Sequence, residues 1–151
     1  MENTSYHAAE IEISYRPTFK ASERPRIDSS MKAYKVLQSN WNQDRIELLE
    51  EFKIIILNRA NHVLGITQIS QGGVSGTLAD PKIIFATALK ACASGIILAH
   101  NHPSGNCRPS DADINLTKKM VTIGKLLEIP VFDHIIICTE KYYSFLDEGI
   151  L

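Results

Sequence analysis

At 151 residues and 44% hydrophobic, the chain is long enough for one domain with a proper core and too short for two of ordinary size. Sixteen basic against 17 acidic residues leave a net charge of −1, which excludes the global positive field that drives sequence-independent binding to nucleic acid and leaves only a local basic patch open. No apolar stretch approaches the ~18 residues of a membrane span, and the opening MENTSYHAAEIEIS lacks the basic head and apolar core of a leader. Cys92, Cys107 and Cys138 are widely spaced with no CxxC pair, so neither a disulfide framework nor a thiolate zinc cluster is indicated. These features predict a soluble cytoplasmic protein in a reducing compartment.

Residues 1–45 read as an N-terminal extension packed on the core, made of an edge strand over Ile11-Glu12-Ile13-Ser14-Tyr15, a connector bearing Pro17 and Pro25, and a helix. Ser29 or Ser30 can cap that helix over Met31 to Leu37, with Met31, Tyr34 and Leu37 on one face. From residue 46 to 151 the pattern is denser. Phe52–Leu57 and His62–Ile69 are rich in β-branched residues and flank the turn-forming Asn58-Arg59-Ala60-Asn61, which predicts a hairpin. Gln71–Gly76 breaks all regularity, and Gln71 to Ala79 either lines a substrate groove or simply connects elements.

Asp80-Pro81 is a strong helix start, followed by an apolar stripe of Ile84, Phe85, Ala88, Leu89 and Cys92, with Gly95 placed to end the helix. Ile96-Ile97-Leu98-Ala99 does not alternate, which predicts a central strand buried on both faces. Ser110 opens another helix with Leu116, Met120, Ile123 and Leu127 on one side, and Pro130 stops it. Val131–Cys138 and Tyr142–Phe145 complete the pattern as strands around a turn at Thr139-Glu140-Lys141. The order predicts an α/β fold, a mixed sheet sandwiched by helices, in one structural domain.

The chemistry concentrates in Ala99-His100-Asn101-His102-Pro103-Ser104-Gly105 and Ser110-Asp111-Ala112-Asp113. At a strand end, residues i and i+2 point the same way, so His100 and His102 can present imidazoles to one ion. Asp113, in the first turn of the next helix, can fold back as a third ligand. Two histidines and a carboxylate with a position left for water is a ligand set used by catalytic zinc. Each residue also has a plainer reading. Ser110-x-x-Asp113 is close to a capping box, and Asp113 can do only one of the two jobs well. Cys107 is a softer ligand or a small loop residue. His7, His62 and His134 have no such company and read as structural or surface groups.

The set as a whole, His100-x-His102, seven residues from Pro103 to Pro109, then Ser110-x-x-Asp113, resembles the JAMM signature of the JAB/MPN metalloprotease superfamily. AHNHPSG with PSDAD resembles its RadC branch, as do FKIIILNRANHVLG, DPKIIFATALKACASGIILAHNHPSG and FDHIIICTEKYYSF. The likeness runs from about Ile46 to Leu151, with the first part also similar to the lead-in of short RadC-like proteins. It implies a JAB/MPN (cytidine-deaminase-like) layout and a zinc ion, Zn2+, held by His100, His102 and Asp113. It also implies a general-base glutamate two residues before the phenylalanine that opens a strand, which selects Glu50 over Glu51. Within a strand the two glutamates point to opposite faces, so only one can face the metal.

By the same resemblance, Glu50 would serve as general base on a zinc-activated water attacking an amide or isopeptide carbonyl, and Ser110 would donate a hydrogen bond to the oxyanion. The implied partner is a peptide or protein substrate, with no membrane and with room for a homodimer. The alternative is a DNA-repair-associated DNA-binding factor or metal-dependent nuclease, as the branch name suggests. Full-length members carry a helix-hairpin-helix region that residues 1–45 do not contain, and the charge balance does not support nucleic acid as a partner. A non-catalytic binding module is disfavoured by the intact ligand set. A nucleoside deaminase lacks support because the Pro-Cys-x-x-Cys pair is missing.

Overall fold

The computed structural model describes residues 6–72 and 78–151. Residues 1–5 and 73–77, the latter within the suggested groove Gln71 to Ala79 and covering most of the irregular segment Gln71–Gly76, lie outside the described residues. In chain order the regular elements are a short 3₁₀ turn Ala21–Glu23, α1 Ser30–Ser39, β1 Glu51–Leu57, β2 Val63–Gln71, α2 Pro81–Lys90, β3 Gly95–Asn101, α3 Asp111–Leu126, β4 Val131–Ile137 and β5 Tyr142–Ser144. The fold is α/β, built on one five-stranded sheet of order β2-β1-β3-β4-β5. β3 and β4 run parallel and every other neighbouring pair is antiparallel.

β1 and β3 are buried along their whole length, which is why neither shows hydrophobic alternation. Their pleat divides the core. Ile55, Leu57, Ile97 and Ala99 face Ala33, Tyr34 and Leu37 of α1, while Ile54, Ile56, Ile96 and Leu98 face Ile84, Phe85 and Ala88 of α2 and Met120 of α3. α1 therefore shares a core with the sheet, through a helix capped by Ser29, whose hydroxyl accepts from Lys32 N–H at 3.3 Å. Met31 stays 47% exposed, and Ala33 takes the buried position in its place.

The hairpin, the Asp80-Pro81 start and the inner strand lie where the sequence places them. Asp80 accepts from Lys82 N–H at 2.9 Å. Four expectations need correction. Ile11–Tyr15 forms no strand: Ile11 is 91% exposed and Ile13 67%, because alternation alone gives a segment no pairing partner. The outer side of β2 is met instead at isolated points, by Pro25 O accepting from Val63 N–H and by the Tyr15 hydroxyl donating to Leu64 O.

Gly95 does not end α2. That helix stops at Lys90, Cys92 takes the left-handed backbone at φ 51°, and Gly95 opens β3, where a Cβ would fall 2.0 Å from the Phe132 ring. Leu89 and Cys92 consequently leave the buried stripe and are exposed. Finally, Cys107 and Cys138 are joined by a disulfide across 31 residues of sequence. The parallel pairing of β3 with β4 brings their C-terminal ends together, so the loop after β3 meets the residue after β4 despite the wide spacing. That bond removes Cys107 from consideration as a soft metal ligand.

Candidate metal centre

The apolar residues Ile96–Ala99 hold β3 in the middle of the sheet, and the last turn of its pleat delivers His100 and then His102 to the face covered by α2 and α3. His100 lies opposite Phe52 of β1 and Ile136 of β4, 1% exposed, its ring stacked on Phe52 at 5.9 Å between centroids. The chain then turns. Gly105, at φ 78°, donates its N–H to His102 O at 3.0 Å, and the loop brings Asn106 O to 2.7 Å from His102 Nδ1. A carbonyl only accepts, so His102 Nδ1 carries the proton and Nε2 keeps the lone pair.

α3 begins on the capping box anticipated from Ser110-x-x-Asp113. Ser110 Oγ accepts from Asp113 N–H at 3.1 Å, and Asp113 Oδ2 accepts from Ser110 N–H at 2.7 Å. The sequence predicts that Asp113 does only one of its two jobs well, and the structure shows the cap with the carboxylate also facing the histidines. While it caps the helix, its Oδ1 lies 3.3 Å from His100 Nε2 and its Oδ2 3.4 Å from His102 Nε2. A carboxylate has enough lone pairs for both tasks. The two imidazole Nε2 atoms are themselves only 2.9 Å apart.

Among the described residues, His100, His102 and Asp113 are the cluster of ligand-type side chains close enough to hold one ion, with ligand atoms all within 4.8 Å of one another. The donor set fits a divalent zinc ion: two neutral imidazole nitrogens and one carboxylate, brought together where a cation would relieve their mutual repulsion. Burial opposes ionisation of Asp113, yet the adjacent His100 and His102 rings outweigh it and hold the carboxyl well below the usual carboxylate range. His102 is shifted upward, first by the adjacent Asp113 carboxylate, against burial, with the Asn106 carbonyl and the charge of Glu50 adding to the effect.

Glu50 immediately precedes β1, and its charge acts on His102. It is half-buried, and its main-chain carbonyl accepts from Gly72 N–H at 2.9 Å. Glu51 goes to the face of the sheet away from His100. It is 2% exposed and sits 3.6 Å from Arg45 Nη1 and 3.9 Å from Lys53 Nζ. Asn101, between the two histidines, also turns away from them. Its Oδ1 accepts from Glu51 N–H at 2.7 Å, and its amide donates to Ile46 O and Leu49 O, each at 2.7 Å. The segment carrying Glu50 is thereby tied to the strand end carrying the histidines.

His134 is the residue whose place the sequence did not reveal. Neither surface nor isolated, it is fully buried, with Nε2 2.8 Å from His100 Nδ1 and Nδ1 2.6 Å from Thr117 Oγ1. Burial pushes His134 well below the ordinary histidine range, with the neighbouring His100 acting in the same direction. A usable signal was present: Asp133-His134 is a polar pair inside the otherwise apolar strand Val131–Ile137, where buried polar groups require partners. His7 is exposed and His62 bonds through its N–H to Asn58 Oδ1, both apart from the cluster.

A family profile described as "RadC-like JAB domain" matches residues 27–150, so the family region takes in α1 as well as the sheet. A UPF0758 protein of Flavobacterium johnsoniae is 48% identical over 147 residues, covering 91% of this chain and 63% of that protein. A UPF0758 protein of Porphyromonas gingivalis is 40% identical over 145 residues, covering 95% of this chain and 63% of that protein. A UPF0758 protein of Desulfitobacterium hafniense is 40% identical over 129 residues, covering 85% of this chain and 55% of its own length. The chain thus spans between half and two thirds of the length of these relatives.

Proposed function

The chain belongs to the RadC-like JAB domain family, and from that premise we propose that it is a zinc-dependent hydrolase of amide or isopeptide bonds, with His100, His102 and Asp113 as metal ligands. The observation that carries this reading is the convergence of two imidazole Nε2 atoms and a carboxylate at one sheet end. Zinc in such a site supplies a Lewis acid for a carbonyl oxygen and brings the pKa of a water down towards ~7.

The chain's own groups would then move the protons. Glu50, whose charge acts on His102, accepts the proton of the attacking water and returns it to the leaving amine, a role that typically contributes about 10²- to 10⁴-fold. Ser110 uses a hydroxyl lone pair for the helix cap, which leaves its proton to be donated to the oxyanion of the tetrahedral intermediate, a contact of ~3 kcal/mol. Asp111, exposed on the same first turn, takes no part.

Metal analysis of the purified protein, coupled to a screen of peptide and isopeptide substrates, tests the reading. It expects about one zinc per chain and a cleavage activity that Glu50→Gln abolishes without emptying the site. Zinc-independent cleavage, or cleavage unchanged in Glu50→Gln, contradicts it. Among the described residues no helix is long and apolar enough to cross a membrane, so the reading requires only a substrate reached from water.

A further inference from the structure

Behind His100, away from the metal position, runs a row of buried contacts that ends on a main-chain carbonyl. Thr117 Oγ1 lies 2.6 Å from Asp113 O and 2.6 Å from His134 Nδ1, and His134 Nε2 lies 2.8 Å from His100 Nδ1. Thr117, His134 and His100 are each at most 1% exposed, so solvent offers them no alternative partners. The direction of every bond follows from the carbonyl. It can only accept, so the single hydroxyl proton of Thr117 goes to it. Thr117 Oγ1 is then an acceptor towards His134, whose Nδ1 must carry the proton. A neutral imidazole has one N–H, so His134 Nε2 is a lone pair and His100 Nδ1 donates to it.

His100 is left with a proton-free Nε2, and that atom is the one facing His102 and Asp113. We propose that Thr117 and His134 are positioning residues that fix the Nδ1–H tautomer and the ring orientation of His100, so that its Nε2 is offered to a divalent metal. This proposal rests on the zinc reading given above. Both rings are also clamped by stacking: His134 on Phe145 at 4.6 Å between centroids, and His100 on Phe52. The row starts from the main chain of Asp113, whose side chain completes the same ligand set. One helical turn of α3 therefore both supplies a ligand and sets the tautomer of another. Hydrogen-bonded partners behind a ligating histidine typically account for 10- to 100-fold in metal affinity.

The test combines two readouts on the full chain. Two-bond ¹H–¹⁵N correlation spectra of the zinc-free and zinc-loaded protein should show His134 as the Nδ1–H tautomer. Competition for Zn²⁺ against a chromophoric chelator should show about a 10- to 100-fold loss of affinity in Thr117→Val, and recovery in Thr117→Ser, which keeps the hydroxyl. An Nε2–H tautomer of His134 in the unaltered protein would overturn the proposal, as would a folded Thr117→Val that binds zinc as tightly as the parent. Should the parent itself fail to bind zinc, the zinc reading falls, and the nitrogen spectrum then decides the hydrogen-bond direction independently.

Discussion

The two faces of the sheet carry two polar clusters built from neighbouring residues. Glu51, Lys53 and Asn101 lie on the α1 side, and His100 and His102 on the side of α2 and α3, where the charge of Glu50 reaches His102. Both are largely buried, yet they are balanced differently. Glu51 has its own cations in Arg45 and Lys53, and Lys53 Nζ also lies 4.5 Å from the centre of the Trp41 ring. Burial pushes Lys53 below the ordinary lysine range, with Glu51 opposing the shift. Glu51 Oε2 meets Lys53 only as a charge contact at 3.9 Å and accepts no hydrogen bond. The first cluster thus has its cations from the protein itself, whereas in the second, among the described residues, the charge contacts of Asp113 are with the two candidate ligand histidines. A buried charge needs a partner. The difference sets Glu51, held by Arg45 and Lys53, apart from Glu50, the base of the proposed mechanism.

Exchanging the two glutamates breaks this comparison most sharply. Glu50→Gln is expected to lower hydrolysis by about 10²- to 10⁴-fold while leaving zinc content and urea stability unchanged. Glu51→Gln is expected to do the reverse, costing about 1 to 3 kcal/mol in urea unfolding by removing the carboxylate that faces Arg45 and Lys53, while Lys53 keeps Asn40 O and the Trp41 ring, with zinc content kept. Equal loss of activity from both would show that the two glutamates do not have separate roles.

A smaller effect, on both faces at once, is expected from Asn101→Ala. Three hydrogen bonds that tie residues 46–51 to β3 are lost, for about 2 to 3 kcal/mol in urea unfolding, and turnover falls with zinc affinity kept because the segment bearing Glu50 is loosened. The smallest effect, about 1 kcal/mol, is expected from Ser29→Ala, which removes the α1 cap. It sits away from both ligands and base, so it gives the stability baseline against which the Asn101 variant is read: turnover and zinc affinity should both stay at the parent's level.

Local signals explain what could be read in the sequence. Asp80-Pro81, the β-branched runs around Asn58–Asn61 and the Ser110-x-x-Asp113 box act within a few residues, so α2, the hairpin and the start of α3 follow directly. Non-local pairing accounts for the rest. His134 reaches His100 only because β4 lies parallel to β3 with Leu98 opposite His134, and the same pairing sets Cys107 against Cys138. Gly95 is required by the Phe132 ring, which its own neighbourhood in sequence does not contain. Ile11–Tyr15 has the right alternation for a strand and no neighbour to pair with. The candidate ligands were legible because they cluster in one loop and one helix start, and the groups behind them were not because they come from another strand.

The central claim is that His100, His102 and Asp113 form a metal site rather than a helix cap beside two loop histidines. Anomalous diffraction at the zinc edge from crystals of the zinc-loaded protein tests it most directly. The account predicts one peak per chain, about 2.0 to 2.2 Å from His100 Nε2, His102 Nε2 and an oxygen of Asp113, and no peak in the same crystals of His102→Ala. A zinc-loaded crystal with no peak at that position, or an undiminished peak in His102→Ala, would contradict it.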